Sequence, residues 1–373
     1  VVVSGPPSFL AQLTSLRFVA AFLVLLSHLD FLAAVPGTRA DILYQTLFRQ
    51  GYCGVSFFYI LSGFILSHAY GDRLMRGTVG LRSYFLSRIC RIAPLHWTMS
   101  LLFIGWLALA RDLPQPGTLL LNLTLLHAWA PDANTHYALN GPSWSLSDEL
   151  FFYAAFPWLC RTRTRPMIWC LGAAVLLVLT AAIVIDAIHP LYSPTIEWAF
   201  YVAPPVRLIE FVTGMLVYRA YRRNYGGTIA GTAAEIFTIA MVIAAMIGFS
   251  LIALPMPFRW QLAYLPVMAL LLLVFAHGQG AISHALRHPY MILLGEASFA
   301  LYLTHRPVIT LAQRLWGGDP VNDLSMSLSL PPLCVALSLA VFLYFERPLL
   351  RRLRRGVQAL DHDKVGLTKW RPS

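Results

Sequence analysis

Ser15-Leu16-Arg17-Phe18-Val19-Ala20-Ala21-Phe22-Leu23-Val24-Leu25-Leu26-Ser27-His28 is an apolar run interrupted by two ionisable side chains, one near each end. Hydrocarbon about 30 Å thick needs roughly 20 helical residues to cross it. The run extended to 12–33 is long enough. Similar stretches centre on 51–70, 92–110, 144–160, 167–188, 200–219, 230–253, 260–276, 289–311 and 329–346. Of 373 residues, 58% are apolar and 12% charged, with a mean hydropathy of +0.64. Soluble domains carry about 25% charged residues. The fold class expected is therefore all-α, a polytopic transmembrane helical bundle of about ten spans.

Basic residues set the direction. Arg73, Arg76, Arg82, Arg88 and Arg91 mark the loop after the second span as cytoplasmic, which places the N-terminus inside. The stretch 118–130 is short and precedes a polar run. If it does not cross, the clusters Arg161/Arg163/Arg165, Arg219/Arg222/Arg223 and Arg347/Arg351/Arg352/Arg354/Arg355 all fall on the same face. It is thus expected as a short re-entrant or interfacial helix on the outer side, with both termini cytoplasmic. The chain divides into one transmembrane domain, 1–348, and a basic tail, 349–373.

The net charge of +11 follows from this loop bias and marks no nucleic-acid partner; the partner it implies is the lipid bilayer. Cys53, Cys90, Cys160, Cys170 and Cys334 are scattered without C-x-x-C spacing, so neither a disulfide framework nor a zinc site is expected. No cleavable signal peptide is expected. No internal repeat is evident, which disfavours a transporter of inverted halves.

Ionisable groups inside spans are costly and mark cavities or partners. Eleven steps of about 100° bring His28 within roughly 20° of the Arg17 face, about 16 Å further along the axis. Alone, Arg17 is equally compatible with a snorkelling anchor, and His28 with an interhelical hydrogen bond. In Asn140-Gly-Pro-Ser-Trp144-Ser145-Leu-Ser147-Asp148-Glu149, the breakers start a helix whose first turn is acidic. Those carboxylates either favour the helix dipole or meet His28 in the outer half of the membrane. His305 lies about 24 Å up its helix from Pro289, also in the outer half. Arg207 and Glu210 are one turn apart and could neutralise each other. Arg88 and Arg91 are either positive-inside anchors or phosphate contacts. Gly51, Gly54 and Gly63 suit close helix packing.

A His with a nearby carboxylate suits removal of a hydroxyl proton. Arginines at the inner mouth below an apolar shaft suit an amphiphilic donor with a phosphorylated head, and acyl-coenzyme A has that shape. Motifs for a P-loop, a metalloprotease or a serine hydrolase are absent from the sequence. A proton-coupled transporter or flippase would use the same His, Glu and Arg residues. That alternative stays open on residues alone.

Taken together, the motifs resemble the membrane acyltransferase 3 family over roughly residues 12–348. Arg17 and His28 match its pattern of a basic residue, ten others, then His. Gly54 to Phe64 is similar to its glycine-rich second-helix motif, and Arg88-Ile-Cys-Arg91 to its Arg-rich motif. Trp144-Ser145-Leu146-Ser147-Asp148-Glu149 resembles its Trp-Ser-Leu-x-x-Glu element. Arg207/Glu210/Phe211/Gly214 and Ser298/Tyr302/Leu303/His305 follow weaker patterns. Asp148 departs from the usual apolar residue, and His96 from the usual aromatic.

The resemblance implies an O-acyltransferase of the bacterial inner membrane, as the membrane module alone without an added extracytoplasmic domain. Its donor would be acetyl-CoA or another acyl-CoA, its acceptor a carbohydrate or other hydroxyl compound, and no metal is expected. His28 and Glu149 are the catalytic candidates. Arg17, Arg88 and Arg91 are candidates for donor binding. Trp144, Ser145, Asp148, Arg207, Glu210, Tyr302 and His305 are candidates for substrate binding.

Overall fold

The computed structural model describes residues 9–33, 35–188, 193–225, 227, 230–252, 254–316, 320–353 and 355–356. Most of the basic tail expected at 349–373 lies outside the described residues. The described chain is a bundle of helices, which pairs most backbone donors and acceptors along their own segment, as lipid requires. The helices used below are α1 (Ala11–Ser27), α2 (Cys53–Leu66), α3 (Leu81–Leu109), α4 (Pro116–Leu123), α5 (Trp144–Leu159), α6 (Thr164–Ile188), α7 (Pro204–Arg222), α8 (Thr232–Leu251), α9 (Leu265–His277), α10 (Pro289–Trp316) and α11 (Pro320–Val341).

Seven helical stretches among the described residues are long and apolar enough to cross a membrane, so the protein is an integral membrane protein. They divide by position. The stretch Arg39–Met75, which contains α2, is 67% buried over its apolar window, whereas α6 is only 11% buried. α2 is therefore interior and α6 turns its Leu, Ile and Val side chains outward, as a lipid-facing helix does. Three further helices were expected as spans. α1 has 17 residues, α5 has 16, and α10 has 28 but carries Glu296, His305, Arg306 and Arg314. α1 and α5 fall just short in length and α10 is set apart by its charged residues, and these three helices carry Arg17, Asp148, Glu149 and His305, with His28 at the end of α1.

Close helix contact is written in glycine. A Cβ at Gly63 of α2 would run into the backbone of Phe211 in α7, and one at Gly214 of α7 into the backbone of Ile60. This lets α2 and α7 pack along their length, while α1 packs along α10. Phe152 of α5 stacks on Phe211 at 5.0 Å and meets Tyr59 of α2 edge-on at 5.0 Å, closing the three-helix core.

Prolines inside helices remove an N–H and free the carbonyl four residues earlier. Two of these orphans find side-chain donors. Pro157 frees the Tyr153 carbonyl, which accepts from the Tyr84 hydroxyl at 3.1 Å. Pro307 frees the Leu303 carbonyl, which accepts from Asn140 Nδ2 at 2.9 Å. The second bond, with Tyr302 Oη donating to the Pro142 carbonyl at 3.0 Å, pins the Asn140–Pro142 loop against α10.

The helix expected near 118–130 is shorter. α4 ends at Leu123, Leu125 takes a positive φ of 58°, and a single 3-10 turn follows at His127–Trp129. His96 of α3 and Trp97 hold the end of α4 through the Asn122 and Leu123 carbonyls at 2.9 and 2.8 Å.

Candidate functional site

A cavity of about 190 Å³ lies between α1, α2, α3, α5 and α10. At one end it is lined by Arg17, Arg88, Arg91, Glu149 and Tyr153, at the other by Tyr59, Ser145 and Tyr302. On α2 its wall runs from Val55 to Leu66, about 16 Å at the rise of an α-helix.

The basic end is only partly neutralised. Arg91 forms an ion pair with the buried carboxylate of Glu346, beyond the end of α11, and lies over the Phe299 ring at 4.9 Å. Arg88 lies over the Tyr70 ring at 4.9 Å and donates to the Tyr70 hydroxyl at 3.0 Å. Glu149 accepts from the Tyr153 hydroxyl at 2.7 Å and faces the charges of Arg17, Arg91 and Arg88. Arg17 makes no hydrogen bond among the described residues. With Glu149 and Glu346 ionised, the guanidinium groups of Arg17, Arg88 and Arg91 leave one positive charge uncompensated.

His28 sits elsewhere. It lies at the end of α1 and meets His305 of α10, the ring centroids 5.0 Å apart and His305 Nε2 at 3.4 Å from His28 Nδ1. His305 in turn lies 6.0 Å from the ring of Tyr302, which lines the cavity. His28 and the arginine end are thus linked through Tyr302 and His305. Of the two readings of the carboxylates at 148–149, a meeting with His28 is not what the structure shows. Glu149 turns to the arginines, and the neighbour His28 finds is His305.

Asp148 turns another way. It accepts from the Tyr59 hydroxyl at 2.6 Å and is fully buried. Beside it, Arg207 Nε lies 3.2 Å from Glu210 Oε2, both residues fully buried. The Arg207 guanidinium is enclosed by the rings of Tyr59, Tyr201 and Trp144 at 4.9, 5.2 and 5.9 Å. Arg207, Glu210 and Trp144 therefore form a sealed cluster behind the Tyr59 wall and do not line the cavity. Ser145 does line it, donating to the Pro142 carbonyl at 3.0 Å.

Several contributors were missed by sequence reasoning. Tyr153 stands one turn from Glu149, and Glu346 is a carboxylate at the end of an apolar stretch. That intramembrane charge was the signal available. Tyr59 and Tyr70 gave none. No cluster of His, Cys, Asp or Glu able to hold a metal occurs among the described residues.

Comparison with known proteins bears on this arrangement. A family model described as an acyltransferase domain matches residues 10–347. Acyltransferase MdmB of Streptomyces mycarofaciens is 32% identical over 331 residues, covering 83% of this chain and 81% of that protein. Exopolysaccharide production protein ExoZ of Rhizobium meliloti (strain 1021) is 26% identical over 325 residues, covering 82% of this chain and 92% of that protein. Protein 2 in the picA locus of Rhizobium radiobacter is 29% identical over 200 residues, or 48% of this chain and 97% of its own length. No solved structure matches. Membership separates the acyltransferase from the transporter that the intramembrane charges had left open. The chain belongs to the membrane acyltransferase 3 family and is an integral membrane acyltransferase.

Proposed function

We propose that this acyltransferase moves an acyl group, acetyl in the simplest case, from cytoplasmic acyl-coenzyme A to a hydroxyl of an envelope or secreted carbohydrate, with His28 as general base. In this reading the bundle crosses a bacterial inner membrane about ten times, with α1, α5 and α10 among the spans and both termini cytoplasmic. The observation that carries it is the cavity. Its basic end offers Arg17, Arg88 and Arg91 to donor phosphates, and Tyr302, which lines the same cavity, stands next to the His305–His28 pair. Guanidinium groups suit phosphate because they bind it in bidentate fashion. The carbohydrate acceptor is supported by the name of the exopolysaccharide production relative.

The chemistry follows from the two ends. The donor head stays with the arginines, and its thin arm carries the thioester towards Tyr302. The acceptor hydroxyl attacks the thioester carbon while His28 takes its proton. A C–O bond forms, the C–S bond breaks, and the proton passes from His28 to the departing sulfur. Tyr302 and Ser145 both donate to the Pro142 carbonyl, away from the arginine end. Turning either hydroxyl from that carbonyl supplies a donor for the tetrahedral oxyanion. Glu149, held by Tyr153, sets its charge near Arg17 at the donor end.

Radiolabelled acetyl-CoA supplied to membranes bearing the host's own glycans tests this reading. Wild type should label glycan, while matched amounts of Arg17→Ala or His28→Ala should not. Equal labelling by wild type and His28→Ala would remove His28 from the mechanism.

A further inference from the structure

His28 and His305 form a pair whose proton positions can be read from their heavy-atom neighbours. His28 Nδ1 lies 2.8 Å from the Val24 carbonyl, and His305 Nδ1 lies 3.1 Å from the Leu301 carbonyl. A carbonyl oxygen only accepts, so each Nδ1 carries the proton. His305 Nε2 is then a bare lone pair, and the atom it faces at 3.4 Å is His28 Nδ1, which bears a proton. The remaining ring nitrogen, His28 Nε2, is unprotonated and has no protein partner among the described residues.

We propose that His305 is a positioning residue that holds His28 as its Nδ1–H tautomer and accepts a hydrogen bond from the imidazolium that forms during transfer. The inference rests on the assignment of His28 as the base. His305 is suited to the task by its surroundings. It is fully buried, its own Nδ1 proton is tied to Leu301, and Asn140 clamps the adjacent Leu303 carbonyl freed by Pro307. Its ring therefore presents Nε2 in one orientation. Without that acceptor His28 has only the Val24 carbonyl to fix its tautomer, and a flipped proton would occupy the nitrogen that must act as base. The proton balance is closed. The acceptor hydroxyl gives its proton to His28 Nε2 as the C–O bond forms, the positive ring donates from Nδ1 to His305 Nε2, and Nε2 releases its proton to the sulfur when the C–S bond breaks.

The test compares His305→Leu, which keeps bulk without an acceptor, with His305→Gln, whose side-chain oxygen can stand near the position of Nε2. Thiol release from acetyl-CoA by purified protein is measured with water or added glycan as acceptor, alongside His28→Ala. His305→Leu should lower kcat by about 10- to 100-fold, with the KM for acetyl-CoA within about twofold, and His305→Gln should restore about tenfold of that loss. Equal loss in both variants, a change confined to KM, or wild-type rates in both would overturn the role of His305. Wild-type turnover by His28→Ala would instead overturn the base assignment on which it rests.

Discussion

Two arginine sites lie on opposite sides of the Tyr59 wall, and they solve the problem of a charge in an apolar bundle differently. Arg207 is fully buried, paired with Glu210 and packed between three aromatic faces. Arg17, Arg88 and Arg91 line a cavity, partly exposed, with fewer carboxylates than guanidinium groups around them. A charge pair closed off from the open volume has no reach to a ligand. Positive charge left over beside an open volume has. Sequence spacing alone would have favoured Arg207, with its carboxylate one turn away, as readily as Arg17.

The largest expected effect separates the two sites by stability. Arg207→Leu leaves Glu210 and Asp148 buried without their cation and should destabilise the protein by about 3–5 kcal/mol. Arg17→Leu should leave thermal unfolding in detergent near wild type, because Arg17 borders a cavity. Replacing both members of the sealed pair, Arg207→Met with Glu210→Met, should recover most of the loss. Equal destabilisation by Arg17→Leu would dissolve the distinction between the sites.

Next in size is the clamp at Asn140. Asn140→Ala leaves the buried Leu303 carbonyl without its donor, which should cost about 1–3 kcal/mol in the same unfolding measurement. An unchanged unfolding temperature would mean that the loop is not held by this bond. At the cavity, Arg88→Ala should raise the KM for acetyl-CoA about tenfold, equivalent to about 1.4 kcal/mol, with unfolding unaffected. A KM that does not move would place the donor head away from Arg88.

The smallest effect concerns the one cavity arginine with a dedicated carboxylate. Glu346→Gln releases Arg91 from its ion pair and should lower the KM for acetyl-CoA by about threefold, under about 1 kcal/mol. A rise in KM would show that Glu346 serves to aim Arg91 rather than to compete for it.

Much of this was legible in the sequence, and the reasons for the rest are geometric. Apolar runs located the helices because lipid imposes one length scale on them. Gly51, Gly54 and Gly63 announced close packing of the second span but not its partners: the first two meet α1 and the third meets α7. Asp148 and Glu149, adjacent in sequence, were read locally as one acidic helix start, and only the family resemblance gave them different roles. A step of about 100° on a helix separates them, so Asp148 meets Tyr59 beside Arg207 while Glu149 meets the cavity arginines. Glu346 was passed over because its partner Arg91 lies 255 residues away, a pairing no local pattern encodes. The approach of His305 to His28 depends likewise on α10 packing along α1.

The central claim is that donor binding and proton removal are done in two places, the arginine end of the cavity and His28. Equilibrium binding of labelled acetyl-CoA and its turnover, measured on the same purified Arg17→Ala and His28→Ala proteins, test it most directly. The account predicts that Arg17→Ala loses binding, and that His28→Ala binds as wild type does but transfers at least about 100-fold more slowly. Loss of binding in His28→Ala, or full turnover by it, would contradict the account.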